Sequence, residues 1–185
     1  LDIGGEICEG ISTGKGADAQ VICTGYEGLL DLSEELGQAL GKGVKGQGML
    51  LGYDAGPLPQ IFADGIHIVP HENGTVAVGS TSEIEWQDAS SIDAQLEDIH
   101  KRAVAVCPVL EGADVLQRWA GVRPRGRKRA PMMGQHPLRD GVFIANGGFK
   151  IGFGVSIRVG EVMADLVLDG RAEIPENFTI EANLS

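Results

Sequence analysis

Arg123, in the stretch Trp-Ala-Gly-Val-Arg-Pro at residues 119–124, is the side chain with the clearest chemical use. Its planar guanidinium presents two parallel N–H donors, which match the two oxygens of a carboxylate. The same group is also able to pair with one of the 26 acidic residues at the protein surface. The sequence therefore predicts either a site for a carboxylated ligand or an ordinary surface ion pair.

A glycine-rich loop at 147–154 is the second feature that suggests chemistry, because an apolar run precedes it and a helical pattern, Ser156 to Leu168, follows it. Backbone N–H groups at a helix start, together with the helix dipole, favour negative charge. Glycines let a ligand approach the backbone closely. We interpret this loop as the main cofactor contact. A turn used only for tight packing is the alternative for the loop. Lys150 lies in this loop, and an ordinary solvated lysine is the alternative to a functional role for it.

The elements that must position these residues begin with short strands over 6–11 and a polar turn over 12–18. An apolar run at 19–24 ends at Gly25 and is typical of a buried strand. A helix is predicted from Gly28 to Leu40, with Gly41 ending it.

The middle of the chain carries hairpin signals. An extended segment at 61–62 leads to a strand over 65–70, a turn at 72–74 and a return strand over 75–80. The Asn-Gly pair in the turn is a strong hairpin signal. A helix from Ser91 to Val106 is expected next, with Asp88 or Ser91 as its cap and Pro108 preventing continuation.

The last third is predicted to be extended over 115–123, then a basic loop to Arg129, a short segment over 131–134 and a turn over 139–141. The acidic tail from Arg171 is predicted to be irregular. Parallel-type strands flank a central part with antiparallel signals, which favours an α/β fold with an inserted α+β domain.

A literal G-x-G-x-x-G occurs at 41–46, but we reject it as a dinucleotide fingerprint. That motif must follow a strand and open a helix, whereas this copy follows a predicted helix and leads into the strand-like run 48–51.

Composition limits the partners. The net charge of −11 argues against binding nucleic acid or an anionic membrane through the bulk of the chain. Six basic residues nevertheless cluster at 118–129, and they admit three interpretations: an electropositive loop that steers anionic substrates, a loop held by internal salt bridges, or a nucleic-acid adaptor. The cluster consists of Arg118, Arg123, Arg125, Arg127, Lys128 and Arg129.

Cys8, Cys23 and Cys107 have no metal-binding spacing, so we expect buried free thiols, a cytoplasmic location and no metal site. No apolar run has transmembrane length and no signal peptide is recognisable.

Five segments in fixed order cover most of residues 20–170. They are 21–25, 44–48, 67–70 with the return strand to 80, 119–124 followed by 131–134, and 147–152. Together they resemble the D-amino-acid oxidase and glycine oxidase family of FAD-dependent amine oxidoreductases. The family's N-terminal βαβ unit with G-x-G-x-x-G is missing from the sequence, so we expect the C-terminal half of such an enzyme, inactive alone and binding FAD weakly.

The resemblance implies a Rossmann-like FAD-binding domain, represented in part by 1–43 and 121–185, and an antiparallel substrate-binding domain at 44–120. The implied FAD contacts form two groups. The extended portion of FAD is assigned to Thr24 and Gly25, and the isoalloxazine ring to Gly148, Phe149, Lys150, Ile151 and Gly152.

The resemblance also suggests three catalytic-site residues. Arg123 would bind the substrate carboxylate, and Lys150, where many relatives carry Arg, would support that carboxylate or lie near the flavin. His67 stands where relatives often place a Tyr that touches the carboxylate, although a packed or exposed histidine is the simpler interpretation.

The implied reaction is oxidation of a small amino acid or amine, with hydride transfer to the flavin and hydrolysis of the resulting imine by water. A non-catalytic binding domain derived from a flavoenzyme is the alternative. The substrate, the electron acceptor and the formation of a homo-oligomer are left open.

Overall fold

A computed structural model of the protein describes residues 18–185. The strands predicted over 6–11, nearly all of the turn predicted over 12–18, and Cys8 lie outside the described residues.

The chain divides into two compact units. The first unit contains the chain up to Gly43 together with Arg123–Ser185, and the second contains Val44–Val122. The assignment of one unit to FAD and the other to substrate stays a prediction.

Within residues 18–43 and 123–185, the first unit contains a three-stranded sheet and three helices. Its elements are β1 (Gln20–Ile22), α1 (Gly25–Glu35), β7 (Met132–Gln135), β8 (Val142–Asn146), α3 (Gly152–Asp169), a 3₁₀ turn (Glu176–Phe178) and α4 (Ile180–Leu184). The strand order is β1-β8-β7. β1 is parallel to β8, with Val21 opposite Phe143, and β7 is antiparallel to β8.

Apolar side chains from α1, the sheet and the tail form the main core of this unit. They are Leu29, Leu32, Leu40, Met132, Ile144 and Ile180. Helix α1 is shorter than the predicted Gly28–Leu40 and begins earlier. Gly37 follows it with φ +64, a conformation that suits glycine and that stops the helix before Leu40.

Helix α3 begins at Gly152, one turn before the predicted Ser156, and Gly170 ends it in the left-handed conformation as expected. The prediction of an irregular tail was wrong. Thr179 caps α4 by accepting a hydrogen bond from the Ala182 N–H, and Ile180 enters the core.

The second unit is built on a five-stranded sheet with one helix. Its elements are β2 (Gly41–Gly52), β3 (Ile61–Ala63), β4 (Ile66–His71), β5 (Thr75–Gly79), α2 (Ala94–Val106), a 3₁₀ turn (Pro108–Leu110) and β6 (Asp114–Gly126). The strand order is β3-β4-β5-β2-β6, and the bounds of β2 and β6 extend slightly past those of the unit. The expected α/β class with an antiparallel insert is confirmed.

The predicted hairpin is confirmed, with Ile68 opposite Val78 and Gly74 in the turn at φ +77. Alternate residues of β4 and β5 face a core that α2 covers. The G-x-G-x-x-G copy lies inside β2 and opens no helix, which supports its rejection as a fingerprint.

Helix α2 starts three residues later than predicted, and neither expected cap is used. Asp93 is the cap, because its Oδ1 accepts the Gln95 N–H at 2.9 Å. Asp88 instead accepts from Ser90, and the Ser91 hydroxyl accepts from Lys45.

A buried polar cluster ties β2 to the start of α2 within this unit. Lys45, 2% exposed, donates to Ser91 Oγ at 2.7 Å, and its Nζ lies 3.6 Å from Glu83 Oε2. Gln47 Nε2 donates to Glu83 Oε1 and Asp93 Oδ1 at 3.0 and 2.9 Å, and its Oε1 accepts the Asp93 N–H at 3.0 Å. These contacts compensate the cost of burying the polar groups.

Cys23 is exposed and Cys107 is half-buried, and both are free thiols, so the expectation of buried cysteines is wrong for Cys23. Among residues 18–185, no helix combines the length and apolar character needed to cross a membrane.

Candidate functional site

Two helices of the first unit start at the same edge of its sheet. Because β1 and β8 are parallel neighbours, their carboxyl ends meet there, and each leads through a short loop into a helix, α1 or α3. Neither helix start carries a side-chain cap. Two uncapped helix starts concentrate positive potential and N–H donors at this edge, the usual place for an anionic ligand in an open α/β sheet.

The loop between β8 and α3 is held in an unusual shape. Phe149 has φ +45, which is uncommon for a residue with a side chain. Its N–H donates to the Pro124 carbonyl at 2.9 Å, and Ile151 N–H donates to the Gly148 carbonyl at 3.1 Å. A Cβ added at Gly148 would lie 2.7 Å from the Gly152 Cα, so the fold of the loop itself requires glycine there.

Positive charge gathers on this loop. The guanidinium of Arg125 and the Nζ of Lys150 each lie 5.8 Å from the centroid of the Phe149 ring, within cation–π range. Lys150 is exposed, whereas Arg123 is half-buried with its Nη1 shielded from solvent. The Phe149–Pro124 hydrogen bond and an Arg125–Gly148 β-bridge place the Arg123 segment beside the loop.

Thr24 and Gly25 form the second loop at the edge. Gly25 adopts φ +67, and the Thr24 side chain lies over Gly28, whose added Cβ would meet Thr24 Oγ1 at 1.6 Å. Among the described residues, the buried Thr24 Oγ1 has no hydrogen-bond partner. A buried hydroxyl without a partner is costly, which makes it a candidate contact for a ligand.

Asn146, at the end of β8, is a site residue that the sequence-based reasoning missed. Its Nδ2 donates to the Gly25 carbonyl at 2.8 Å, and its Oδ1 accepts the Gly147 N–H at 2.7 Å. The available signal was a polar residue that closes an apolar strand immediately before the glycines.

His67 belongs to the second unit and lies on the face of β4 opposite the core. It is exposed, its ring centroid is 4.5 Å from that of Phe62, and its Nδ1 is 3.5 Å from Gln60 Nε2. Its role at the site stays a prediction.

The basic cluster is divided between the units. In the second unit Arg118 pairs with Glu97 at 3.4 Å. In the first, Arg127 donates to the Asn183 carbonyl at 3.5 Å and the Lys128 N–H to Asn183 Oδ1 at 3.3 Å. Only the Arg118 contact is a salt bridge, and those of Arg127 and Lys128 are hydrogen bonds to an asparagine, so all three interpretations of the cluster stay predictions.

No group of three or more metal-ligating side chains occurs between residues 18 and 185.

The family model for FAD-dependent oxidoreductases matches residues 2–166. The chain belongs to this family. Glycine oxidase from Pseudomonas putida is 32% identical over 164 residues, covering 85% of this chain and 44% of that protein. Glycine oxidase from Bacillus licheniformis is 31% identical over 109 residues, covering 58% and 29%.

Among solved structures of the family, glycine oxidase from Geobacillus kaustophilus superposes with a TM-score of 0.76 at 29% identity. The match covers 89% of this chain and 45% of that one. The chain thus spans less than half the length of these relatives.

FAD, the cofactor of the family, fits the residues at this edge. The uncapped start of α1 suits the extended, anionic portion of FAD, where the Thr24 hydroxyl offers a hydrogen bond, and the uncapped start of α3 suits negative charge on the ring. Exposed apolar side chains suit a flat ring, since Ile151 and Phe153 beside the loop are 48% and 96% exposed. Thr24, Gly25 and the loop from Gly148 to Gly152 are the residues that would hold it.

Proposed function

We propose that this protein takes part in the FAD-dependent oxidation of a small amino acid or amine. The observation that carries the proposal is the hydrogen bond from the Phe149 N–H to the Pro124 carbonyl, 2.9 Å long. It joins the Arg123 segment to the loop assigned to the flavin. The two relatives named as glycine oxidases support this substrate class.

Arg123 is proposed to bind the substrate carboxylate with its guanidinium fork. Partial burial of the side chain strengthens such a contact, because charge–charge attraction is less screened away from water. A clamped carboxylate fixes the orientation of the carbon next to it, and orientation is a large part of catalysis.

Lys150 is proposed to add a mobile positive charge at the same loop, next to the carboxylate or the flavin pyrimidine. Its Nζ is a point charge and its side chain is exposed, so it contributes attraction rather than a fixed geometry. His67 is proposed separately as a hydrogen-bond donor to substrate.

When bound, FAD accepts the hydride that leaves the substrate. The chain itself supplies electrostatics and position. The α3 start favours negative charge, and the Arg125–Phe149–Lys150 stack adds two cations beside it.

The test is steady-state kinetics of Arg123→Ala, in the longer enzyme that the resemblance implies, with two substrates: a carboxylated amine such as glycine and a small amine without a carboxylate. Loss of a charge-assisted contact should raise KM for glycine about 10- to 100-fold and leave KM for the plain amine within about twofold. Arg171→Ala, which removes an exposed arginine in the tail, is the matched control.

An unchanged KM for glycine in Arg123→Ala would refute the carboxylate role. A rise in KM that is equal for both amines would show that the substitution disturbs the site in general rather than one contact.

A further inference from the structure

The side chain of Asn146 connects the two loops at the candidate cofactor edge. Its amide is 9% exposed and uses both ends: Nδ2 donates to the Gly25 carbonyl, and Oδ1 accepts the Gly147 N–H. The first bond reaches 121 positions along the chain, from the end of β8 to the first residue of α1.

The geometry depends on the residue types. Gly25 and Gly147, which supply the carbonyl and the N–H that Asn146 bonds, both have positive φ, at +67 and +75, a conformation that favours glycine. Only a short side chain that carries both a donor and an acceptor can bond the Gly25 carbonyl and the Gly147 N–H together. Aspartate has no donor, alanine has neither group, and glutamine is one methylene longer.

We infer that Asn146 is a positioning residue for the cofactor, which fixes the starts of α1 and α3 relative to each other. This inference rests on the proposed function, since it takes the two loops to be the FAD contacts. A site whose parts are already fixed loses less conformational entropy when the ligand binds.

Asn183 offers a matched control in the same unit. It is fully buried and also uses both ends of its amide, with Nδ2 donating to the Thr179 carbonyl at 3.0 Å and Oδ1 accepting the Lys128 N–H at 3.3 Å. Neither bond reaches a glycine loop of the candidate site. Replacing it with alanine therefore removes a comparable amide without touching the cofactor edge.

The experiment compares wild type, Asn146→Ala, Asn146→Asp and Asn183→Ala in two measurements, each made on the longer enzyme that the resemblance implies. FAD alone is titrated and followed by quenching of its fluorescence, and hydrogen exchange is followed in peptides that cover residues 22–28 and 145–152. Asn146→Ala should weaken FAD binding about tenfold and speed exchange in both peptides, because two hydrogen bonds are lost.

Asn146→Asp should weaken binding further, since it keeps only the acceptor and adds negative charge where an anion binds. Asn183→Ala should lower the thermal midpoint and leave FAD affinity within about twofold.

FAD binding by Asn146→Ala that equals wild type would overturn the inference, and so would an equal loss of affinity in Asn183→Ala. Failure of wild type to bind FAD would instead overturn the assignment of the cofactor to these loops. In that case, faster exchange at both loops in Asn146→Ala still supports the link between them, and unchanged exchange overturns it.

Discussion

The buried polar cluster around Gln47 in the second unit differs from the sheet edge of the first unit in how its side chains are partnered. In the second unit Gln47 bonds to Glu83 and to both the side chain and the backbone of Asp93, which in turn caps α2. At the edge of the first unit, α1 and α3 begin without a side-chain cap, and the buried Thr24 Oγ1 has no partner among the described residues.

The difference distinguishes buried polar groups that stabilise the fold from buried polar groups that are available to a ligand. Buried polar groups that are already paired stabilise the fold and gain little from a ligand, whereas unpaired ones are a cost that a ligand removes. Gln47, which is fully buried, shows the first case, because Glu83 and Asp93 satisfy its amide. Thr24 shows the second.

The largest expected effect is at Glu83. Replacing Glu83 with leucine leaves the buried ammonium of Lys45 without its counter-charge, which should lower the free energy of unfolding by about 3–5 kcal/mol. Trp86 and Trp119 are the chain's two tryptophans and both lie in the second unit, so urea denaturation followed by tryptophan fluorescence reports this unit.

The control for this prediction is Glu97→Ala, which breaks the exposed pair with Arg118 in the same unit. A surface pair contributes less than about 1 kcal/mol. Equal losses in the two variants would show that the buried cluster is not what stabilises the unit.

A smaller effect of opposite sign is expected at Thr24. Thr24→Val removes a buried hydroxyl without a partner, so stability without FAD should stay the same or rise by about 1 kcal/mol, while FAD affinity falls about tenfold. Thermal unfolding without FAD and an FAD titration measure the two quantities.

Thr179→Val is the contrasting variant, because the Thr179 hydroxyl caps α4. Its loss should cost about 1 kcal/mol. A drop in stability in Thr24→Val of the same size would mean that the Thr24 hydroxyl also serves the fold and would weaken the contrast between the two regions.

The smallest effect concerns pH and a paired cluster inside the first unit. His136 has a fully buried side chain, its Nδ1 accepts the Leu138 N–H at 3.2 Å, and its Nε2 lies 3.4 Å from Glu35 Oε2. Burial and the charge of Arg139 lower the pKa of His136. The folded state thus favours the neutral ring.

Above the ordinary histidine pKa of about 6.5, the free energy of unfolding of this unit should not change with pH on account of His136. Below that pH it should fall, because the unfolded chain then takes up a proton at His136. His136→Gln should reduce that dependence. Hydrogen exchange of residues 132–146 between pH 7.5 and 5 measures it, and identical pH profiles in the two proteins would contradict the assignment.

The elements that sequence predicted well are those fixed by local signals. The hairpin of β4 and β5 follows from Asn73-Gly74, and the end of α3 follows from Gly170, because few residues adopt these turn conformations easily. The family and its cofactor followed from ordered motifs, which the match over residues 2–166 confirms.

What sequence did not predict depends on contacts distant along the chain. Ser91 fits the pattern of a helix cap, yet it is bound to Lys45, so the cap falls to Asp93. The burial of Lys45 and Gln47 has no local signal, because a lysine and a glutamine in a strand are ordinarily placed at the surface. Asn146 was overlooked for the same reason, since its partner Gly25 is distant in sequence.

The exposed apolar side chains of α3 have a consequence for colloidal behaviour. Phe153 and Ile157, one turn apart, are 96% and 81% exposed, on a chain whose net charge of −11 makes copies repel each other. At about 0.15 M salt this repulsion reaches only about 8 Å, so we expect self-association of the chain to increase with salt and to involve this helix.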